Sequence, residues 1–274
     1  MKEQILIRWK EHQLAATIDY PRNMQLGSKY PLLIICHGFV GSKVGVDRLF
    51  VKTANALTKE QMIVLRFDYS GCGESSGDYG KTGLHELIDQ TRTVIDFGVN
   101  LEQVDPKEIT LLGHSLGGAT AALTAANKQQ IKQLILWSAV AHPYDDISRI
   151  VGKEKVRSLK NIPSIDYLGY GLTKPFFNAL SRYEPLQSAA KFSGDVLLIH
   201  GTGDEDIPVS YIKDYEKVFT ERVSGECETY EIQDANHTFS NSTHFNQVIA
   251  HTVNWLSRQK EFKACRSQKQ TLIG

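Results

Sequence analysis

The stretch that decides the fold is Ile109-Thr-Leu-Leu-Gly-His-Ser115-Leu-Gly-Gly-Ala-Thr-Ala-Ala-Leu123. It opens with a short apolar run, which is typical of a strand buried on both faces, and closes with residues that favour a helix. Between the two lies Gly-x-Ser-x-Gly. This motif is weak on its own, but a strand before it and a helix after it predict a sharp turn that exposes the Ser115 hydroxyl.

Similar apolar runs recur along the chain, and helical periodicity separates several of them. The runs cover 31–36, 62–65, 134–137 and 196–199, and one amphipathic helix is predicted over 84–98. Two earlier segments, 4–9 and 14–20, alternate in the manner of half-buried strands. The pattern predicts an α/β fold, namely a doubly wound, mostly parallel sheet with helices on both faces.

One segment breaks the alternation. Residues 142–190 lie between two predicted strands, and this is far longer than the usual connection in an α/β protein. We therefore expect a single domain over 1–274 with 142–190 as an inserted lid, and 263–274 as a flexible tail after the last helix. The lid segment is rich in aromatic residues: Tyr144, Tyr167, Tyr170, Phe176, Phe177 and Tyr183.

The composition excludes several classes of function. Lysine plus arginine (31) balances aspartate plus glutamate (31), which gives no support to nucleic-acid or polybasic membrane binding. No 18-residue apolar run and no signal-peptide pattern appear, and the four cysteines form no Cys-x-x-Cys pair, so we expect a cytoplasmic protein with reduced thiols. No phosphate-binding loop or paired metal ligands are found, so neither a cofactor nor a metal is predicted.

A serine hydroxyl becomes a good nucleophile only when a histidine takes its proton and a carboxylate orients that histidine. Among nine histidines, His237 lies in a polar loop between a strand-like segment and the final helix. The loop after 196–199 offers Asp204, Glu205 and Asp206 as acids. Asp68 also follows a buried run, but its glycine-rich setting indicates a structural turn.

Four motifs together make the chain resemble the α/β-hydrolase superfamily from about residue 30 to residue 257. They are His37-Gly-Phe39, Arg66-Phe-Asp-Tyr-Ser-Gly-Cys-Gly-Glu-Ser75, the serine turn, and His200-Gly-Thr-Gly-Asp-Glu-Asp-Ile-Pro208. The first motif and the moderate size of the lid are most similar to bacterial carboxylesterases of the cinnamoyl or feruloyl esterase type. The resemblance implies a catalytic triad and an oxyanion hole formed by two backbone N–H groups. The triad is Ser115, Asp204 and His237, with Asp206 as the alternative acid, and the N–H groups are those of Phe39 and Leu116.

The expected function is therefore that of a serine carboxylesterase acting on a small-molecule ester with a short acyl or aryl-acyl group. Tyr144, Tyr170 and Phe177 are the predicted substrate-binding residues of the lid. A thioesterase, an acyltransferase or a perhydrolase would use the same triad, and a ligand-binding protein without activity would use the same fold. The sequence leaves these alternatives, and a homodimer, open.

Overall fold

The computed structural model describes the backbone of residues 1–271 and the side chains of residues 1–259. Its strands are β1 (Lys2–Trp9), β2 (His12–Asp19), β3 (Tyr30–Cys36), β4 (Ile63–Phe67), β5 (Val104–His114), β6 (Ile131–Trp137), β7 (Ser164–Tyr167), β8 (Tyr170–Thr173), β9 (Asp195–Gly201) and β10 (Cys227–Ile232). In the described chain, eight of them form one sheet in the order β1-β2-β4-β3-β5-β6-β9-β10. Within this sheet the pairs β1–β2 and β2–β4 are antiparallel and the other five pairs are parallel, whereas β7 and β8 form a separate antiparallel pair. The predicted mostly parallel sheet is confirmed.

Helices cover both faces of the sheet. The α-helices of the described chain are α1 (Leu49–Leu57), α2 (Leu84–Val99), α3 (Leu116–Ala125), α4 (Pro143–Val151), α5 (Lys153–Ser158), α6 (Lys174–Leu180), α7 (Pro185–Ala189), α8 (Tyr211–Thr220) and α9 (Ser242–Thr271). Successive strand residues point to opposite layers. Leu33 of β3 therefore shares one buried cluster with Phe50 of α1 and Trp255 of α9, whereas Leu32 shares the other with Leu87 of α2.

The segment predicted as a lid, 142–190, is structured and contains α4, α5, the β7–β8 hairpin, α6 and α7. The hairpin turns at Leu168 (φ 53°) and Gly169 (φ 84°), and a two-residue turn with two positive φ angles matches the twist of paired strands. Thr173 at the end of the hairpin donates a hydrogen bond to the carbonyl of Gly80, 2.8 Å away. This bond ties the segment to the loop that follows β4.

The last helix is longer than the sequence indicates. The backbone of α9 stays helical to Thr271, past the predicted end near 262. The expected tail, 263–274, overlaps this helix, and residues 272–274 lie outside the described residues, so its flexibility stays a prediction. Among the residues that the structure describes, no helix is both long and apolar enough to pass through a bilayer.

The sheet brings the candidate functional residues to one edge. His37 follows β3, Ser115 follows β5, Asp204 follows β9 and His237 follows β10. These strands are parallel, so their carboxyl ends open on the same side of the molecule, where α/β proteins commonly bind ligands.

Candidate active site

Ser115 occupies a strained turn between β5 and α3. Its backbone angles are φ 58° and ψ −126°, and such a conformation in a non-glycine residue costs on the order of 1–3 kcal/mol. Neighbouring backbone groups hold it in place. The Ser115 N–H donates to the carbonyl of Trp137 at 3.0 Å, and the Ser115 carbonyl accepts from the N–H of Val140 at 3.1 Å. The turn is therefore fixed from both sides by the residues at the end of β6.

The glycines on either side of Ser115 are required by close packing. A Cβ atom added to Gly113 would lie 2.3 Å from the carbonyl oxygen of Gly117. A Cβ atom added to Gly117 would lie 2.1 Å from the carbonyl oxygen of Cys36. Both contacts involve backbone and cannot be relieved by a side-chain rotation, which explains the spacing of the motif.

The structure brings His237 and Asp204 together. His237 Nδ1 lies 2.8 Å from Asp204 Oδ2, and since a carboxylate only accepts, the ring donates from Nδ1. The other carboxylate oxygen accepts from the N–H groups of Asp206 at 2.9 Å and Ile207 at 2.8 Å. This arrangement orients the imidazole with Nε2 free to take a proton.

The Asp204 side chain is fully buried. Burial opposes its ionisation, but hydrogen bonds from His200 and His237 outweigh burial and hold the pKa of the Asp204 carboxyl well below its usual range. A carboxylate that stays ionised across neutral pH is what the orientation of a catalytic imidazole requires.

A second imidazole supports the His237 loop. The ring of His114 packs against the His237 ring with centroids 4.7 Å apart, and its Nε2 donates to the His237 carbonyl at 2.8 Å. Burial, with a smaller effect from His237, lowers the pKa of His114 to about 3, so this ring is neutral at physiological pH. His114 precedes Ser115 in the chain, and it therefore connects the serine turn to the histidine loop.

Among the hydrogen bonds of the described residues, none joins the Ser115 hydroxyl to the His237 ring. In enzymes without substrate this contact is often long and tightens only when substrate binds. The structure thus places the three residues predicted as a triad at one edge of the sheet, with the acid–histidine pair formed.

The loop after β3 is held rigidly beside Ser115. His37 Nδ1 donates to the carbonyl of Gly38 at 2.8 Å, and the N–H of Tyr69 donates to His37 Nε2 at 3.1 Å. These two bonds fix the neutral ring, in agreement with burial, which lowers the pKa of His37. A Cβ atom added to Gly38 would lie 2.9 Å from Ser115 Cβ, so the loop and the serine are in close contact.

The two residues predicted to form the oxyanion hole therefore flank the serine. Phe39 follows Gly38, and Leu116 is the first residue of α3. The first N–H groups of a helix have no partner inside the helix and carry the positive end of its dipole. These positions suit a developing negative charge on a substrate oxygen.

Known proteins resemble this chain in both sequence and structure. The family model for the alpha/beta hydrolase fold matches residues 31–166. The structure of Est1E from Butyrivibrio proteoclasticus with ferulic acid bound has a TM-score of 0.81 to this structure and is 25% identical in sequence. The match covers 94% of this chain and 99% of that chain. This chain has the α/β-hydrolase fold. The predicted resemblance to that superfamily and to feruloyl esterases is confirmed.

Further proteins from other organisms also resemble this chain. The mouse alpha/beta hydrolase domain-containing protein 10 is 18% identical, with a TM-score of 0.73 over 94% of this chain and 99% of that chain. An uncharacterized 31.7 kDa protein from Escherichia coli, in the traX-finO intergenic region, is 26% identical over 286 residues. That match covers 90% of this chain and 98% of the relative.

The β7–β8 hairpin of the hydrolase lies against the loop beside Ser115. The Phe39 ring lies 5.4 Å from the Tyr167 ring, 5.9 Å from Phe176 and 6.1 Å from Tyr79. The sequence motifs point only to the backbone of Phe39 and give no signal for Tyr79. The Phe39 side chain is the link between the proposed oxyanion loop and the aromatic residues of 142–190.

The three predicted substrate-binding residues occupy different environments. Tyr144 on α4 is 40% exposed. Tyr170 is half-buried and meets the ring of Tyr79 edge-on at 5.8 Å. Phe177 is 2% exposed and packs edge-on against Phe176, which favours a role in the interior of the segment. Contact of these residues with a substrate stays a prediction.

Asp206, the alternative acid, lies close to the pair but makes no hydrogen bond to His237 among the described contacts. Asp204, Asp206 and His237 each have one possible metal-ligand atom, and these atoms lie within 4.8 Å of one another. This spacing is compatible with coordination of a metal ion. Asp204 and His237, however, already satisfy each other, and both oxygens of Asp204 accept hydrogen bonds. The donor set fits proton chemistry better than metal binding.

Asp68, which the sequence assigned a structural role, joins a different network. Its Oδ2 accepts from Lys43 Nζ at 2.6 Å, and Lys43 Nζ also contacts Glu74 Oε2 at 2.5 Å. Burial opposes the charge of Lys43, but the hydrogen bonds from its ammonium to the two carboxylates raise the pKa of the lysine. The network fixes the far end of the loop that begins at His37.

Proposed function

We propose that this hydrolase is a serine carboxylesterase that cleaves short-acyl or aryl-acyl esters through an acyl-enzyme on Ser115. The observation that carries the proposal is the 2.8 Å contact between His237 Nδ1 and Asp204 Oδ2. It leaves His237 Nε2 as a base, in a loop whose His114 contact adjoins the strained turn of Ser115.

In the first half of the proposed reaction, Ser115 Oγ attacks the carbonyl carbon of the ester and its proton passes to His237 Nε2. The carbonyl oxygen becomes negatively charged and accepts hydrogen bonds from the N–H groups of Phe39 and Leu116. Preorganised donors of this kind each contribute about 3–4 kcal/mol to the stabilisation of a transition state. The bond to the alcohol oxygen then breaks, and the alcohol leaves with the proton from His237.

In the second half, water replaces the alcohol. His237 Nε2 takes a proton from the water while its oxygen attacks the acyl carbon, and the same two N–H groups hold the oxyanion. The bond to Ser115 Oγ breaks, Ser115 regains a proton from His237, and the carboxylic acid is released. Asp204 stabilises the imidazolium in both halves and does not itself change protonation.

The proposed preference for small or aromatic acyl groups rests on the hairpin. Phe39 and Tyr167 place aromatic surface beside Ser115, in and against the loop that follows β3. An aromatic acyl group that packs on such a ring would gain about 0.5–1.5 kcal/mol of binding free energy beyond that of burial. We assign to 142–190 the role of a lid that supplies the acyl pocket. Est1E, whose structure this chain resembles, binds ferulic acid, an acid with an aromatic acyl group.

The proposal is tested by kcat/KM across acetate, butyrate, octanoate, palmitate and ferulate esters, with the Ser115→Ala variant as the blank. We expect the highest values for the short acyl chains and measurable turnover of ferulate. A maximum at palmitate would contradict the short-acyl preference, and no turnover of ferulate would leave a general carboxylesterase. Faster consumption of ester with added alcohol, without matching release of acid, would indicate an acyltransferase.

A further inference from the structure

A second histidine lies directly against the proposed acid. His200, near the end of β9, is 2% exposed, and its Nε2 lies 3.0 Å from Asp204 Oδ2 and 3.2 Å from the carbonyl oxygen of Ile207. Both neighbours are acceptors, so Nε2 carries the hydrogen and donates to them. The mechanism described above gives this buried imidazole no role.

His200 and His237 donate to the same oxygen atom. Asp204 Oδ2 accepts from His237 Nδ1 at 2.8 Å and from His200 Nε2 at 3.0 Å, whereas Oδ1 is occupied by two backbone N–H groups. The carboxylate thus has four donors on two oxygens. Each donor on Oδ2 takes up part of the negative charge that the other imidazole would otherwise feel.

We propose that His200 is a positioning residue of the esterase, which holds the Asp204 carboxylate in place and, by sharing its Oδ2, limits how strongly that carboxylate stabilises protonated His237. The inference rests on the proposed function, because it concerns the acid–base pair of that reaction. It assigns to His200 an effect on basicity rather than a contact with substrate.

Removing the His200 N–H therefore has a defined direction. The charge on Oδ2 would interact more fully with His237, so the protonated ring would persist to higher pH. The other groups around His237 stay unchanged by such a variant. They are the neutral ring of His114, the carboxylate of Asp206, and two groups near Asp206. One is Tyr167, whose pKa is raised by burial and, to a smaller extent, by Asp206, and the other is Arg149, which donates to the Asp206 carbonyl.

The test uses three variants of His200 and one matched control. His200→Leu removes the donor, and His200→Asn keeps a polar side chain too short to reach Oδ2, in case the leucine variant does not fold. His200→Gln places an amide N–H at nearly the reach of Nε2. His251→Leu is the control, since His251 stacks on Tyr230 with ring centroids 3.9 Å apart and has no contact with Asp204.

Two readouts follow His237. In the free protein, NMR titration of the His237 ring should show a midpoint roughly half a pH unit higher in the leucine and asparagine variants than in the wild type. The glutamine and His251 variants should match the wild type. The acid limb of kcat/KM should move upward by the same amount, while KM stays unchanged because His200 does not touch the substrate.

Unchanged midpoints in both donor-free variants would overturn the inference, and so would a loss of kcat shared equally by the glutamine variant, which a purely structural role predicts. The NMR readout needs no turnover. A shifted midpoint in a protein that hydrolyses no ester would therefore support the role of His200 and refute the esterase instead.

Discussion

Two buried aspartates, Asp68 and Asp204, follow parallel strands of the same sheet, yet they have different partners. Each accepts two backbone N–H groups, from Lys43 and Glu74 in one case and from Asp206 and Ile207 in the other. Asp68 then pairs with the ammonium of Lys43, whereas Asp204 pairs with two imidazoles.

The partner decides what each carboxylate can do. The Lys43 ammonium keeps its proton throughout the neutral range because its pKa is raised, so the pair with Asp68 is a fixed link between two loops. An imidazole gains and loses a proton near neutral pH, so a carboxylate that orients it can assist proton transfer. Similar burial and similar backbone bonds thus support a structural pair in one place and an acid–base pair in the other.

The largest effect is expected from Ser115→Ala, which removes the proposed nucleophile and leaves both aspartates untouched. Ester hydrolysis should fall by a factor on the order of 10⁴ or more. The thermal midpoint should stay close to that of the wild type, since the backbone bonds of the turn remain. Initial rates and circular dichroism melting check the two parts. More than a few per cent of residual turnover would place the nucleophile elsewhere.

Asp204→Asn should come next, with kcat reduced by roughly 10⁴-fold because an amide neither stabilises the imidazolium nor fixes the Nδ1–H form of the ring. Substrate binding should change little. Steady-state kinetics on a butyrate ester, with an active-site concentration measured independently, gives the comparison. A variant with nearly normal kcat would remove Asp204 from the triad.

Asp68→Asn should lower the stability of the protein rather than its turnover. It leaves the buried Lys43 ammonium with the exposed Glu74 carboxylate as its remaining partner, and breaking a buried pair costs at most about 3–5 kcal/mol of unfolding free energy. Urea denaturation measures that loss, and kcat per folded molecule should fall far less than in the Asp204 variant. If Asp68→Asn abolished turnover while the protein stayed stable, the distinction between the two aspartates would fail.

A smaller effect concerns pH and stability. The pKa of His114 is lowered to about 3 in the folded protein, below its unfolded value near 6.5, so protonation favours the unfolded state. The contribution of His114 is fully present above pH 6.5 and is lost as the pH falls toward 3, with about 2 kcal/mol lost by pH 5. Urea denaturation at pH 7 and pH 5 should show this loss in the wild type and a smaller one in His114→Gln. Equal losses in both would mean that His114 does not carry the effect.

The smallest effect is expected for Asp206→Asn, the matched control for Asp204. Asp206 contributes its backbone N–H to the Asp204 carboxylate, and the substitution keeps that bond. Its kcat should stay within about threefold of the wild type, which corresponds to less than 1 kcal/mol. A loss larger than that of Asp204→Asn would make Asp206 the acid and reverse the assignment.

The sequence predicts the fold well because the fold depends on local patterns, and the same patterns select the residues of the proposed triad. Apolar runs and helical periodicity identify buried strands and helices, and the glycines around Ser115 report a turn that only they can pack. The sequence pattern does not predict where α9 ends. The polar composition of the tail after 262 favours a flexible end, although lysine, alanine, arginine and glutamine are all good helix formers.

The sequence pattern does not predict contacts between residues that are distant in the chain. The shared bond of His200 depends on how the loop after β9 folds back on its own strand, and the packing of His114 on His237 joins positions 123 residues apart. The approach of Tyr167 to Phe39 depends on how 142–190 folds. Periodicity describes one element at a time, so it carries no information about such contacts.

The most direct test of the account is labelling with a fluorophosphonate, read by intact-protein mass and by peptide mapping. We expect one adduct per molecule, on Ser115, in the wild type and in folded Asp68→Asn. Ser115→Ala should form no adduct, and Asp204→Asn should form it much more slowly. An unlabelled wild type, or an adduct that persists in Ser115→Ala, would contradict the claim that Ser115 is a nucleophile activated by the Asp204–His237 pair.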